Sequence, residues 1–336
     1  MTRLKGVIAA AATPLSADAR IDQQKLAQHC RNLLERGCDG INLLGTTGEA
    51  TSFSVAQRIE TMENIARSGL PLDRFMVGTG AAALADAICL TAKARDLGFA
   101  GALVIPPFYY KGIDASGLAA YFDALIDAVG SNGLRLYLYH FPQNSGVPFS
   151  PEAVARLVDA HADVVLGLKD SSGDLAYSAA LAQQHPALDI FPSAEGALAN
   201  SMNADFAGCI SATLNITSSL VGQACRHQAS ADPSAAKALL ADATAIRKAL
   251  ASVPLVAAIK WALSDLQDDP LWERPMPPLL KLSEQDRAAM TSALGATRYA
   301  SLRPVFSHAT PPATAAAMTV DATRVRPEVT PSRTVQ

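Results

Sequence analysis

One lysine near the middle of the chain follows a short apolar run. Residues 164–173 read VVLGLKDSSG, and the first five are typical of a strand buried on both faces. Lys169 ends this strand, and the residues after it favour a turn and a helix start. Burying an ammonium is costly, so desolvation favours a neutral amine, which can attack a carbonyl carbon and form a Schiff base. The structural alternative is a lysine whose methylene groups pack on the protein while its ammonium group lies in water.

Three more predicted strands end near hydroxyl side chains. The second strand leads into the turn GTTGE at 45–49, which carries Thr46 and Thr47, while Tyr109 and Tyr139 follow or end the fourth and fifth strands. A phenol can transfer a proton, and the backbone N–H groups of a tight turn that leads to a helix can bind a carboxylate. Plain turn residues and a buried strand tyrosine are the structural alternatives.

The elements that position these residues alternate regularly along the chain. Apolar runs predict eight strands, at 6–13, 40–44, 75–77, 101–105, 135–139, 164–169, 189–191 and 208–212. Segments of helical period separate most of them, and alternation of this kind implies a parallel sheet. Eight such units favour an α/β fold of the closed (β/α)₈ TIM-barrel type over an open, doubly wound sheet. The carboxyl ends of the strands then gather the polar residues at one mouth.

The barrel does not account for the whole chain. We predict a (β/α)₈ barrel over 1–217 and a C-terminal helical extension with three helical patterns over 218–303. Residues 304–336 are rich in Ala, Thr, Pro and Val without a clear period, and we expect a disordered tail there.

Composition excludes several classes of function. The 336 residues carry a net charge of −3 without a basic block, so we expect neither nucleic acid nor an anionic membrane as partner. Apolar runs are too short to span a bilayer, and the N-terminus lacks a signal-peptide pattern, so we predict a cytoplasmic location. No strand end offers a metal-ligand set, and we predict neither metal nor cofactor. His140, the only histidine near a strand end, is interpreted as structural.

Three motifs together carry a resemblance to a known family. GTTGE at 45–49, YHFP at 139–142 and GLKDSSG at 167–173 resemble the motifs of the dihydrodipicolinate synthase / N-acetylneuraminate lyase family of class I pyruvate-dependent aldolases. Each motif alone is weak, but their order and spacing are specific, and the resemblance covers about residues 4–294. It implies a lyase in which Lys169 forms an imine with pyruvate or another 2-oxo acid.

The resemblance also implies roles for other residues. Tyr139 would move protons to and from the substrate, and Thr46 would relay a proton to it, while Gly45, Thr46 and Thr47 would hold the substrate carboxylate. Tyr109 would reach the site of a neighbouring subunit, which implies a homo-oligomer, a dimer or a tetramer. Ile210 would line the pocket near the lysine.

Two positions depart from the family pattern. Where dihydrodipicolinate synthases carry an arginine that pairs with the aldehyde's carboxylate, this chain has Asn144, which carries no charge. A family glycine after the seventh strand is replaced by Ala194, which we expect to narrow the pocket. A neutral or hydroxylated aldehyde partner fits Asn144 and Gln143 better than aspartate semialdehyde does.

The sequence therefore favours an aldolase or lyase that acts on a 2-keto-3-deoxy sugar acid or a related 4-hydroxy-2-oxo acid. A 4-hydroxy-tetrahydrodipicolinate synthase with altered recognition is the first alternative, and a family dehydratase or hydratase-aldolase is the second. A catalytically silent barrel that binds a 2-oxo acid is the third. Lys169 and Tyr139 argue against the silent barrel, because a pure binder needs neither.

Overall fold

Eight parallel strands form the centre of the molecule. The computed structural model describes residues 3–199, 206–229 and 233–307. Its strands are β1 (Gly6–Ala10), β2 (Gly40–Leu43), β3 (Phe75–Gly78), β4 (Gly101–Val104), β5 (Leu136–His140), β6 (Val165–Asp170), β7 (Asp189–Pro192) and β8 (Gly208–Ser211). Neighbours pair in the order β7-β6-β5-β4-β3-β2-β1-β8. The backbone of Ala207 donates to Ile190 at 3.0 Å and joins the two remaining edges. The predicted (β/α)₈ barrel is confirmed.

Helices surround the strands and extend beyond them. They are α1 (Gln23–Glu35), α2 (Val55–Arg67), α3 (Leu84–Asp96), α4 (Ala115–Val129), α5 (Pro151–Ala160), α6 (Leu175–Gln184), α7 (Leu214–Ala229), α8 (Pro233–Leu250), α9 (Leu255–Gln267) and α10 (Glu284–Gly295). Single turns of helix lie at Ala50–Ser52, Leu72–Arg74, Pro142–Ser145, Glu195–Ala199, Pro270–Glu273, Tyr299–Leu302 and Arg303–Ser307. Within the described ranges no single helix is long and apolar enough to cross a membrane, and α8 and α9 pass that test only as a pair bent by 114°.

The C-terminal part of the chain differs from the sequence prediction in three respects. Helix α7 starts before residue 218 and packs against β1 and α1, so it belongs to the barrel and not to an extension. In the described part of 214–295 there are four long helices rather than three. The predicted tail begins at 304, but the turn Arg303–Ser307 is helical and Phe306 lies 3.8 Å under the Arg36 guanidinium. The rest of the predicted tail, 308–336, lies outside the described residues.

Alternation along the strands decides which side chains enter the barrel. Tyr137 and Tyr139 of β5 both pack in the interior with apolar residues from other strands. Gly167 on β6 makes room for Tyr137, since a Cβ there would lie 2.6 Å from the Tyr137 ring. Lys169, two residues further along the same strand, therefore shares the interior face and stands at the mouth.

A buried histidine ties α1 to the start of α7. His29 is 3% exposed, and its Nε2 donates to Oδ1 of Asn215 at 2.8 Å, while its ring contacts Trp272 edge-on. Burial lowers the pKa of His29 to about 4. Between that value and the unfolded value near 6.5, the unfolded chain binds a proton that the native protein does not.

Acidification is therefore expected to weaken the native fold through this histidine. The free energy of unfolding should fall by about 2 kcal/mol between pH 7 and pH 5 from this group alone. Urea unfolding at both pH values measures it, with His29→Gln as the matched variant that keeps an N–H donor but does not titrate in this range. An equal pH dependence in both proteins would contradict the assignment.

Candidate active site

Lys169 and Tyr139 lie side by side on adjacent strands. They are register partners in the β5–β6 ladder, and the Lys169 Nζ lies 4.3 Å from the centre of the Tyr139 ring. Each residue is only 4% exposed. The amine is therefore largely removed from water and faces an aromatic ring whose π-electrons attract a cation. A nucleophile and a phenol are brought together at the mouth of the barrel.

The Tyr139 hydroxyl contacts two further hydroxyl groups. Thr46 Oγ1 lies 3.2 Å away and Ser171 Oγ lies 3.5 Å away. Either the Thr46 or the Tyr139 hydroxyl can be the donor of their hydrogen bond, so a proton can pass between them in either direction. Ser171 was not predicted as a site residue, although it follows Lys169 by two positions.

The turn that carries Thr46 and Thr47 is held in an unusual backbone conformation. Leu44 and Glu49, on either side of it, have φ angles of 52° and 56°, a region that non-glycine residues seldom occupy. Gly78 packs against the turn so closely that a Cβ there would meet the Leu44 carbonyl oxygen at 2.2 Å. The Thr13 hydroxyl donates to the Gly48 carbonyl at 2.8 Å. Such strained backbone concentrates at functional sites.

A buried ion pair anchors this turn to the C-terminal helices. Glu49 forms a salt bridge with Lys260 of α9, and both side chains are fully buried. Glu49 also accepts a hydrogen bond from the backbone N–H of Met276 at 2.5 Å, and Lys260 donates to the Arg274 carbonyl at 2.6 Å. Burial raises the pKa of Glu49 and lowers the pKa of Lys260, although each faces an opposite charge. Glu49 ends the GTTGE motif, whereas no motif of the sequence includes Lys260.

A cavity of about 720 Å³ opens above the amine. Residues at the strand ends of the barrel form its lower wall, and residues from α8, α9, the segment before α10 and the start of α10 form its roof. The lining residues are Thr46, Thr47, Tyr139, Phe141, Asn144, Lys169, Ser171, Ser193, Ile210, Ala212, Arg247, Pro254, Leu255, Val256, Ala257, Pro278, Leu279, Leu280, Lys281, Leu282, Ser283 and Asp286. A second cavity of about 340 Å³ shares Thr46, Tyr139 and Asn144 with it.

The predicted binding residues divide into two groups. Thr47, Ile210 and Asn144 line the larger cavity, and Gly45 lines the smaller one. Ala194 lines neither cavity, whereas its neighbour Ser193 lines the larger one. A narrowing of the pocket by Ala194 stays a prediction.

Tyr109 does not reach the site of its own chain. Its side chain is 74% exposed and packs edge-on against Tyr110, which is 71% exposed. It lines neither cavity. An active-site role of Tyr109 within one subunit is therefore not seen, and a role in a neighbouring subunit stays a prediction.

Arg247 is a cavity residue that the sequence analysis missed. It comes from α8, and its Nη1 donates to Ser211 Oγ at 3.0 Å and Thr213 Oγ1 at 3.1 Å. The same nitrogen lies 3.4 Å from the carboxylate of Glu195, which is fully buried. Glu195 accepts hydrogen bonds from the hydroxyls of Thr213 and Thr217 as well. These contacts fix the guanidinium at the ends of β7 and β8.

His140 stabilises the strand end beneath the site. Its Nδ1 accepts a hydrogen bond from the Phe149 backbone at 3.0 Å, and its ring stacks on Tyr177. Burial lowers the pKa of His140, while Asp170 and Asp174 act in the opposite direction. In the part of the chain that the structure describes, no group of three or more His, Cys, Asp or Glu side chains is placed to hold a metal ion.

Fold and site define a class of protein. A (β/α)₈ barrel with a buried lysine beside a tyrosine at the strand ends has the parts of a class I aldolase, which uses an amine in place of a metal. The dihydrodipicolinate synthetase family matches residues 3–297 of the chain. The chain belongs to this family and is a lyase of the class I aldolase type.

Individual relatives agree with the family assignment. A protein of Chloroflexus aurantiacus named "Uncharacterized DapA-like lyase" is 38% identical over 296 residues, which cover 87% of this chain and 97% of that protein. A 4-hydroxy-tetrahydrodipicolinate synthase of a Synechococcus species is 29% identical and covers 87% and 95%. The crystal structure of dihydrodipicolinate synthase from Agrobacterium tumefaciens has a TM-score of 0.77 at 28% identity, covering 87% of this chain and 99% of that one.

Proposed function

We propose that the protein is a Schiff-base-forming aldolase that acts on pyruvate or another 2-oxo acid. Its substrate, cleaved or formed, is a 2-keto-3-deoxy sugar acid or a related 4-hydroxy-2-oxo acid. The observation that carries the proposal is the buried Lys169 amine, 4.3 Å from the Tyr139 ring, inside a cavity of about 720 Å³. An uncharged amine in this place can attack a ketone.

The cleavage reaction follows from these groups. The Lys169 nitrogen adds to C2 of the 2-oxo acid, Tyr139 donates a proton as the C2 oxygen leaves as water, and a protonated imine and the Tyr139 phenolate form. The phenolate takes the proton of the C4 hydroxyl; the C3–C4 bond breaks, and its electron pair moves into the imine to give an enamine. The aldehyde leaves, and C3 takes the proton from Tyr139. Water then hydrolyses the protonated imine to release pyruvate and the free lysine, and the remaining proton returns to the Tyr139 phenolate. Thr46 and Ser171 exchange protons with the phenol between steps.

A 4-hydroxy-tetrahydrodipicolinate synthase is the second candidate, favoured by the name of the 29% identical Synechococcus relative. That activity joins pyruvate to aspartate semialdehyde, whose carboxylate needs a cationic partner. Asn144 lines the cavity at the position where we expected such a cation, and it carries no charge. The other two cations of the cavity, Arg247 and Lys281, already form ion pairs with Glu195 and Glu273. The sugar-acid or 4-hydroxy-2-oxo acid substrate therefore ranks first.

A homo-oligomer belongs to the same proposal. Tyr109 and Tyr110 are large, exposed aromatic side chains near the mouth, and such residues are enriched at protein interfaces. Tyr109 of one subunit would then approach the site of the next. Light scattering after gel filtration tests this, and a Tyr109→Ala variant that stays active as a monomer would contradict it. A cytoplasmic location stays a prediction.

Borohydride trapping tests the proposed function directly. Incubation with pyruvate and sodium borohydride should add one reduced pyruvate per chain, and peptide mass mapping should place it on Lys169. A parallel screen of 4-hydroxy-2-oxo acids and of pyruvate with aspartate semialdehyde, read by pyruvate release or consumption, should give turnover with the first group. An unmodified Lys169 would favour a protein that only binds the 2-oxo acid.

Removing the phenol should separate imine formation from the proton transfer. For Tyr139→Phe, kcat is expected to fall by about 10²- to 10⁴-fold, since general acid–base catalysis contributes in that range. Trapping of pyruvate on Lys169 should persist, because the amine remains. Steady-state kinetics and trapping on one preparation measure both, and Ser171→Ala serves as the milder control. An unchanged kcat in Tyr139→Phe would exclude the phenol as the proton carrier.

A further inference from the structure

We propose that the aldehyde half of the substrate carries an apolar group, without hydroxyls or charge, that packs against the roof of the cavity. The preferred substrate is then a 4-hydroxy-2-oxo acid with an apolar chain beyond C4, and not a sugar acid. This inference rests on the proposed function and narrows its substrate class. The residues that carry it come from α9 and from the segment before α10, outside the three family motifs.

The roof of the cavity presents mainly hydrocarbon to a bound substrate. One stretch at the start of α9 and another just before α10 contribute most of it. Their apolar lining residues are Pro254, Leu255, Val256, Ala257, Pro278, Leu279, Leu280 and Leu282. A surface of this kind is stabilised when apolar groups of a ligand cover it and release water.

The polar side chains of the roof are already bound to other groups of the protein. Arg247 and Lys281 lie 3.4 Å and 3.5 Å from the carboxylates of their ion-pair partners. The Ser283 hydroxyl donates to Asp286 Oδ2 at 2.8 Å and accepts from the Asp286 backbone N–H at 3.0 Å. A polyhydroxylated chain under the roof would therefore exchange its water for few new hydrogen bonds, which costs free energy.

Two leucines of the roof are exposed although both belong to the cavity. Leu280 is 78% exposed and Leu279 is 39% exposed, whereas Leu282, close to them in the sequence, is buried. Neighbouring large apolar side chains that stay in water often mark a surface to which a ligand or partner binds. Because both leucines line the cavity that contains the Lys169 amine, the part of the substrate that extends away from the imine can cover them.

Apolar residues also line the cavity below the roof, close to the reacting groups. The Phe141 ring packs against the Tyr139 ring with their centres 5.9 Å apart. Ile210 and Ala212, at the end of β8, line the same cavity. An apolar group attached to C4 can thus contact hydrocarbon from the strand ends to the roof, while the hydroxyl groups around Lys169 serve the reacting carbons.

A chain-length series of substrates tests the apolar roof. The series runs from 4-hydroxy-2-oxohexanoate to 4-hydroxy-2-oxononanoate, and cleavage is read by pyruvate release. Each methylene that leaves water for an apolar wall strengthens binding by about 3-fold, so kcat/KM should rise by about 30-fold over the series. The matched polar substrate is 2-keto-3-deoxygluconate, which has the chain of 4-hydroxy-2-oxohexanoate with hydroxyls added at C5 and C6. Its kcat/KM should be about 10-fold lower than that of 4-hydroxy-2-oxohexanoate.

Replacing the two exposed leucines should remove the dependence on chain length. In Leu279→Ser/Leu280→Ser, kcat/KM should vary by less than about 3-fold over the series, through a higher KM for the longer substrates. The value for 4-hydroxy-2-oxohexanoate should change by less than about 3-fold. Should the double variant be unstable, Leu280→Ser alone changes the more exposed residue and should remove part of the dependence.

Two further variants serve as controls. Leu279→Met/Leu280→Met keeps apolar side chains of similar volume and should keep the chain-length dependence within about 2-fold of the wild type. Leu175→Ser removes a leucine that is 41% exposed and lines neither cavity, and it should leave the dependence unchanged.

The alternative is that the two leucines contact a neighbouring subunit. An equal loss of kcat/KM on all substrates in Leu279→Ser/Leu280→Ser, with a smaller assembly by gel filtration and light scattering, would show that role and overturn the inference. A lost chain-length dependence at an unchanged oligomeric state would support it.

The outcomes also distinguish this inference from the proposed function. Equal kcat/KM values along the series, with pyruvate still trapped on Lys169, would overturn the apolar specificity and leave the aldolase proposal in place. A higher kcat/KM for 2-keto-3-deoxygluconate than for 4-hydroxy-2-oxohexanoate would do the same. Loss of pyruvate trapping in the wild-type protein would overturn the proposed function, and with it the inference.

Discussion

Replacing Lys169 with alanine is expected to lower pyruvate release by at least about 10⁴-fold, because the enamine cannot form without the covalent nitrogen. The borohydride adduct with pyruvate should disappear completely. The native fold should not suffer: Lys169 is 4% exposed and lies over the Tyr139 ring without an ion pair in the described structure, so its burial costs stability. The melting temperature of Lys169→Ala is expected to equal or exceed that of the wild type.

Lys169→Arg is the matched control for this prediction. It keeps a cation of similar length beside the Tyr139 ring, but a guanidinium stays protonated and does not attack a ketone. Both variants should therefore be inactive and folded, as judged by circular dichroism and thermal melting. A higher turnover in Lys169→Arg than in Lys169→Ala would contradict the prediction. It would indicate that the positive charge at residue 169, and not a nucleophilic amine, is responsible for the catalysis.

The barrel and its strand ends could be predicted because both depend on local sequence. Short apolar runs separated by segments of helical period mark the strands. Most strand ends in the structure differ from the predicted ends by only a few residues. Since parallel strands in a barrel end at one mouth, Lys169, Tyr139 and Thr46 were expected to meet there. The structure brings these three together.

The rest of the site depends on contacts between distant parts of the chain. Arg247 and Glu195 are 52 positions apart, and an arginine near the end of an Ala-rich helix is usually interpreted as a solvated charge. The position of Ala194 follows from the family resemblance alone, and a motif position does not fix where a side chain points. The predicted end of the barrel at residue 217 falls inside helix α7. Helical periodicity marks a helix, but it does not show that this helix packs against β1.

Lys260 is the residue for which the sequence did offer a signal. It is the only charged residue in the segment LVAAIKWAL at 255–263, an otherwise apolar helix. A lysine surrounded in this way needs a buried partner, because an unpaired ammonium is costly in an apolar interior. The partner is Glu49, 211 positions earlier in the sequence, and only the fold shows the pairing.

Breaking this ion pair from one side should be strongly destabilising. Lys260→Met leaves the Glu49 carboxylate buried without its counter-charge, and Glu49→Gln leaves the ammonium alone. Each single variant is expected to lose about 3–5 kcal/mol of unfolding free energy. Urea unfolding at pH 7 measures the loss, and Lys281→Met, which removes an exposed lysine of the roof, should lose less than about 1 kcal/mol.

The double variant tests why the pair is there. Because burial raises the pKa of Glu49 and lowers that of Lys260, desolvation outweighs the attraction between them. Glu49→Gln/Lys260→Met should therefore recover most of the lost stability, since its Gln can still accept the hydrogen bond from Met276. Its kcat/KM should nonetheless stay about 10-fold below the wild type, because the turn bearing Thr46 and Thr47 is held less tightly and small displacements at a catalytic group are costly. Stability losses that simply add in the double variant would show that the two charges do not act as a pair, and full activity in it would show that the pair does not position the turn.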